Sequence, residues 1–205
     1  MRIGVVACRV LQRELEQILA EIPGVESVVY LEAALHVHPL KMKEAIREEV
    51  NAMKGKVDVV FLGYGYCQSL QGLDQEFDFP VVLPQVDDCI ALLLTPERYA
   101  EEIKKEVGTW FMTPGWTKIG AEMVIKELKL ERAAKYGKDP LEMARRLFTH
   151  YRRGLYVDTG VGNEEDLVNA QKFCSDFTLT LETSTTRPTL LREWVDQALR
   201  VARGK

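Results

Sequence analysis

Short β-branched apolar runs alternate with stretches whose apolar residues recur at helical spacing, and this alternation narrows the possible folds more than any other feature of the chain. Residues 2–7 read as a buried strand, and Leu11, Leu15, Ile18, Leu19 and Ile22 then repeat at helical spacing until Pro23-Gly24 stops the helix. The same pair of signals recurs at 26–35 with 40–53, and at 57–62, whose strand leads into Gly63-Tyr64-Gly65-Tyr66-Cys67. A fourth strand is expected at 79–83, and a helical connection over 90–94 and 96–107. The second half continues with strands at 109–112, 154–157 and 178–182, and with helices after each of them. The helical region after the first of these breaks near Tyr136-Gly137-Lys138-Asp139-Pro140. Strand–helix alternation predicts an α/β fold, with parallel sheet flanked by helices and right-handed crossovers. It fits two Rossmann-like lobes, 1–107 and 108–205, facing across a cleft, and it equally fits one continuous domain.

Three of the four cysteines stand where an apolar run gives out. Cys8 ends the first run, Cys67 follows the third and Cys89 follows the fourth. Neighbouring parallel strands would crowd these thiols at one sheet edge, which is where open α/β sheets bind ligands. Zinc and iron take soft thiolates, with histidine or carboxylate completing the set. His36, expected at the end of the second run, is the natural fourth ligand to Cys8, Cys67 and Cys89. The cysteines are widely separated and lack Cys-x-x-Cys spacing, so they do not form a small zinc ribbon or knuckle. Buried cysteine also serves as a small hydrophobe. Cys174, on a predicted helix beside Phe173 and Phe177, is read that way. His38, held before Pro39, is read as solvated, and His150 as a surface group or an anion contact.

Composition limits the partners. A net charge of -4 lacks the basic footprint of a nucleic-acid binder, and no apolar run approaches the roughly 20 residues of a membrane span. The first strand begins at once, without the basic and apolar segments of a secretory leader. Thiols in such a chain point to a reducing cytoplasm.

Polar clusters follow the later strands. Asp158-Thr159-Gly160 precedes a helix opened by Asn163 and Glu164, so backbone N–H groups there could hold an anion and Asp158 a hydroxyl or a metal. Thr113 ends another run. Thr183–Thr186 with Arg187 offers hydroxyls and a guanidinium for a carboxylate or phosphate. Thr113, Asp158, Thr159, Gly160 and Arg187 are therefore the candidate substrate-binding residues, for a small polar or anionic ligand, with helix capping and turn formation as the competing reading. Asp87-Asp88 beside Cys89 could supply a hard ligand or a base. There is neither a Gly-x-Gly-x-x-Gly pattern nor a phosphate-binding Gly-Lys-Ser/Thr loop.

Several segments together resemble a domain family of unknown function first described from hypothetical proteins of methanogenic archaea and present in anaerobic bacteria. They are Val5-Val6-Ala7-Cys8, Leu35-His36 with Pro39, Gly63-Tyr64-Gly65-Tyr66-Cys67, Asp88-Cys89, Gly108-Thr109-Trp110-Phe111-Met112-Thr113, Tyr136-Gly137, Leu155-Tyr156-Val157-Asp158-Thr159-Gly160 and the Arg187-Pro188 pair. Members often carry His-Cys where this chain has Asp88-Cys89. The resemblance implies a setting near corrinoid-dependent methyl transfer, with corrinoid methyltransferase proteins as partners and corrinoid itself entering by context alone. Three functions stay open. The first is a zinc protein of anaerobic one-carbon or methylamine metabolism, its metal held by the three cysteines and the histidine beside a small-molecule cleft. The second is an iron–sulfur protein with one open iron. The third is a non-enzymatic accessory or small-anion-binding protein. The nearby histidine favours zinc over a cluster. No catalytic residue is assigned.

Overall fold

The computed structural model describes residues 1–204, and the side chains of Ala34, Cys67 and Gln68 lie outside that description. The chain forms two compact units, Met1–Arg98 with Arg187–Lys205 and Tyr99–Thr186. Each is α/β with an all-parallel sheet.

The first unit opens with β1 (Ile3–Cys8) and helix α1 (Gln12–Leu19), then β2 (Val25–Leu31) and α2 (Pro39–Met53). It continues with β3 (Val59–Gly63), the single turn α3 (Cys67–Leu70), β4 (Val81–Val82) and α4 (Cys89–Leu94). The strand order is β2-β1-β3-β4. β1 and β3 are buried at every position, as continuous apolar runs in a parallel sheet covered on both faces should be. Pro39 occupies the first turn of α2, where its missing N–H costs nothing. Met42, Ile46, Val50 and Met53 then form the buried stripe of that helix. Two contacts fix which strand face meets which helix. A Cβ added at Gly4 would lie 2.6 Å from Met53 Sδ, and one at Gly63 would lie 2.5 Å from Ala7 Cβ and 3.0 Å from Leu15 Cδ1. Gly4, Val6 and Cys8 therefore face α2, whereas Val5, Ala7 and Gly63 face α1.

The second unit takes in most of α5 (Pro96–Lys105), followed by β5 (Thr109–Met112), α6 (Ala121–Glu127) and α7 (Pro140–Leu147). β6 (Arg153–Asp158), α8 (Glu164–Phe177) and β7 (Thr180–Thr185) complete it, with strand order β5-β6-β7. The expected break between α6 and α7 is a 3-10 segment, Leu130–Tyr136, bounded by left-handed residues Lys129 and Gly137. An aromatic cluster fills the core: Trp110 stacks on Phe173 at 5.5 Å and Phe148 on Phe177 at 4.1 Å. Cys174 is buried in this cluster, in agreement with its reading as a packing residue. Its Sγ lies 2.3 Å from where a Cβ of residue 154 would sit, so only glycine fits at that point of β6.

At the opposite end of the second sheet, Arg153 and Glu102 form an ion pair whose side chains are each 7% exposed. Lys105 joins Glu102 at 2.7 Å. Arg153 Nε lies 2.9 Å from Glu182, without the alignment of a hydrogen bond. Burial pushes the Glu102 carboxyl up, but the hydrogen bonds from Lys105 and Arg153 outweigh it and hold the group below the usual glutamate value.

The closing helix α9 (Thr189–Arg203) returns to the first unit, where Leu191, Val195 and Ala198 are fully buried. This differs from a division at 107/108 that keeps 108–205 together. The reason is packing: α9 lies against β1, β3, β4 and α4. Two other expectations also shift. β7 runs to Thr185, so Thr183, Ser184 and Thr185 belong to a strand and not to the loop after one. The cause is α8, which extends to Phe177 to bury that ring and ends on a left-handed Thr178, delaying the strand. β2 ends at Leu31, opposite Cys8, and His36 lies beyond it in the 3-10 turn Ala33–Val37. No helix among the described residues is long and apolar enough to cross a membrane.

Candidate functional site

The strands of the first sheet are parallel, so their C-terminal ends share an edge. Cys8 is the last residue of β1, Cys67 begins α3 after β3, and Cys89 begins α4 after β4. In the β1–β3 pairing Ala7 lies beside Gly63, so Cys8 and Tyr64 form the next pair, on the face toward α2. Both are buried. The loops after β3 and β4 are clamped together. Tyr66 donates its N–H to the Val86 carbonyl at 2.6 Å, and a Cβ at Gly65 would fall 2.3 Å from the Asp88 backbone. Only glycine permits that approach, which brings the start of α3 close to Asp88-Cys89. Asp88 caps α4, its Oδ1 accepting from the N–H groups of Ile90 and Ala91 at 2.8 Å each. This gives the carboxylate a structural task, in place of the ligand or base role open to it from sequence.

The electrostatics tie the groups together. Burial pushes the Cys8 thiol up and so does Glu32, while a backbone hydrogen bond at Val10 and the Arg9 charge pull it down. The Tyr64 phenol is raised well above its ordinary value, first by burial and then by the neighbouring Cys8 and Cys89. One buried phenol thus stands within electrostatic reach of two of the three predicted thiols. The third, the side chain of Cys67, lies outside the described residues. No group of three or more His, Cys, Asp or Glu placed to hold a metal occurs among the described residues. The side chain of His36 is exposed.

The second sheet also gathers its strand ends at one edge, with different chemistry. Thr113, fully buried after β5, accepts at its carbonyl from the N–H groups of Trp116 and Thr117 at 2.8 and 3.0 Å, and its hydroxyl has no hydrogen-bond partner. Asp158 ends β6. Its Oδ1 accepts from Gly160 N–H at 2.9 Å and its carbonyl accepts from Thr186 N–H at 2.8 Å. Gly160 is exposed with φ +87°, and Thr159 is buried. A Cβ at Gly162 would sit 2.4 Å from Tyr156 Oη and 2.9 Å from Asp158 Oδ1, so these two oxygens border one point. The start of α8 is closed by a reciprocal cap: Asn163 accepts from Asp166 N–H at 3.0 Å and Asp166 from Asn163 N–H at 2.8 Å. Thr117 also donates to Asp166, at 3.1 Å. The turn's Gly160 N–H and the α8 cap are therefore already committed to the chain's own oxygens. Arg187, two residues past β7, is exposed.

Three buried groups were not singled out from sequence. Tyr64 was visible only as one letter of the Gly-Tyr-Gly-Tyr-Cys run. Its signal was its place one residue beyond a strand, beside the residue that pairs with Ala7. Glu14, fully buried on α1, stands at helical spacing from Leu11 and Ile18 and so on the apolar stripe. Arg153, a charge leading an otherwise apolar run, carried the same kind of signal.

No curated protein and no solved structure matches this chain. The family described as "Protein of unknown function (DUF1638)" has a model that matches residues 30–195, a span that includes His36, Cys67 and Cys89 but not Cys8, and the chain belongs to that family.

Proposed function

We propose that the first unit is a metal-binding module in which the thiolates of Cys8, Cys67 and Cys89 hold a zinc ion, leaving one coordination position open. The observation that carries this reading is the convergence of Cys8 and Cys89 on Tyr64, with the Gly65–Asp88 clamp bringing the start of α3 to the same edge. Soft sulfur donors from three separate strand ends suit zinc or iron on a folded scaffold. The exposed side chain of His36 favours three protein ligands over four, and catalytic zinc sites characteristically have three. Zinc with an open position supplies Lewis-acid activation of a bound thiol or water. The same exposure of His36 supports a second reading, an iron–sulfur cluster with one iron not held by cysteine.

In the second unit, Thr113, Asp158, Thr159, Gly160 and Arg187 would bind a small polar ligand. The unpartnered hydroxyl of Thr113 and the carboxylate of Asp158 supply the polar contacts. We assign the protein to the reducing cytoplasm and to anaerobic one-carbon metabolism linked to corrinoid methyltransferases, on the strength of its thiols and of the family resemblance.

Elemental analysis of anaerobically purified protein tests the metal reading. Stoichiometric zinc is expected in the wild type and in Cys174→Ser, with none in Cys67→Ser. Iron with inorganic sulfide would select the cluster. Metal-free wild-type protein, or equal metal in wild type and Cys67→Ser, would overturn the assignment.

A further inference from the structure

Tyr64 has a position that packing alone does not require. It lies just beyond β3, on the sheet face that carries Cys8, as the next pair after Ala7 and Gly63. It is 5% exposed, and its phenol feels the charges of both Cys8 and Cys89. Glycines flank it on both sides, and each allows a close backbone approach: Gly63 to Ala7 and Gly65 to Asp88. The loop is therefore held at both ends while its one large side chain is directed at the thiols. A tyrosine hydroxyl is a neutral hydrogen-bond donor at pH 7, and thiolate sulfur is an acceptor that gains from such a donor.

Resting on the thiolate–metal reading above, we infer that Tyr64 is a positioning residue of that site, donating a hydrogen bond from its hydroxyl to a metal-bound thiolate of Cys8 or Cys89. Such outer-shell donors orient ligands and tune the metal, and their loss typically weakens metal affinity about 10–100-fold. Tyr30 provides an internal control. It pairs with Ala7 on the opposite face of the same sheet, toward α1, and its buried hydroxyl has no hydrogen-bond partner.

The test uses the full-length protein, stripped of metal and titrated anaerobically with Co(II), whose thiolate charge-transfer bands report on the sulfurs. Affinity is read by competition with a chelator. Tyr64→Phe, which keeps the ring and removes the hydroxyl, should shift those bands and weaken Co(II) binding about 10–100-fold, while Tyr30→Phe leaves both unchanged. A purely structural role for Tyr64 would lower the melting temperature without moving the bands. If Tyr64→Phe fails to fold, Tyr64→Met gives the same readout with another apolar side chain. Unshifted bands and unchanged affinity in the folded variant would overturn the inference while leaving the metal site standing. Wild-type protein without thiolate–Co(II) bands would overturn the metal reading and this inference with it.

Discussion

The two sheets end in the same way and are used differently. Both are all-parallel, and in both the residues after the strands gather on one edge. At the first edge, glycines 63 and 65 let backbone segments approach closely, and the side chains brought together are thiols and a phenol. At the second edge the groups are hydroxyls and carboxylates, and much of their capacity is spent internally: Asp158 on Gly160, Asp166 on Asn163 and Thr117, and the Thr113 carbonyl on the next turn. The topology supplies a location, and residue chemistry decides whether that location is reactive or already satisfied.

The largest expected effect separates the edges outright. Cys8→Ser should remove bound metal completely, whereas Asp158→Asn should leave the metal content at the wild-type level. Metal content by elemental analysis decides it, and metal loss in Asp158→Asn would break the distinction.

Next comes the end of the second sheet away from its candidate site. Arg153→Met leaves Glu102 buried without its principal partner and should destabilise the second unit by about 3 kcal/mol, read by denaturant unfolding. The pH dependence has a definite sign. The carboxyl of Glu102 is held below its ordinary value in the folded protein. Its contribution is therefore fully present above the unfolded value of about 4.3 and is lost as pH falls through the lower folded value. Glu102→Gln should flatten that acid limb of the stability curve. An unchanged limb would show that the pair does not titrate with unfolding.

A smaller effect is expected from Gly154→Ala, which drives a Cβ into Cys174 Sγ at 2.3 Å. Overpacking of this kind costs about 1–3 kcal/mol. Cys174→Ala should restore part of it, because the added carbon then meets space in place of sulfur, and a double-mutant cycle measures the recovery. Additive costs would mean that the backbone gives way elsewhere.

The smallest effect sharpens the view that the second edge is internally satisfied. In Asp158→Asn the amide oxygen still accepts from Gly160 N–H, so stability should stay within about 0.5 kcal/mol of wild type. A large loss by thermal unfolding would show that the carboxylate charge itself is used in folding.

The class of fold was legible because β1, β3 and β6 are continuous apolar runs and α2 and α9 carry clear apolar stripes. What was not legible depended on non-local competition. The alternation of signals shows that α9 exists, but not which core it completes. His36 seemed to end a strand because the apolar letters continue past Leu31, yet pairing with β1 stops there, opposite Cys8. The thiols were visible as strand-end residues. Tyr64 was not, since its importance comes from register with Ala7 and from a glycine-permitted contact with Asp88, neither of which is a property of the local sequence.

The return of α9 to the first unit fixes an order of events on the ribosome. Residues 99–186, which hold every strand of the second sheet, emerge from the exit tunnel ahead of residues 189–203. The second unit can therefore begin to close its core while the first still lacks the helix that supplies Leu191, Val195 and Ala198 to its interior. Until α9 arrives, the nascent chain displays apolar flanks of β1, β3 and β4 to solvent or to a chaperone. The thiol edge built on those strands is thus assembled on a sheet whose covering is the last part to emerge.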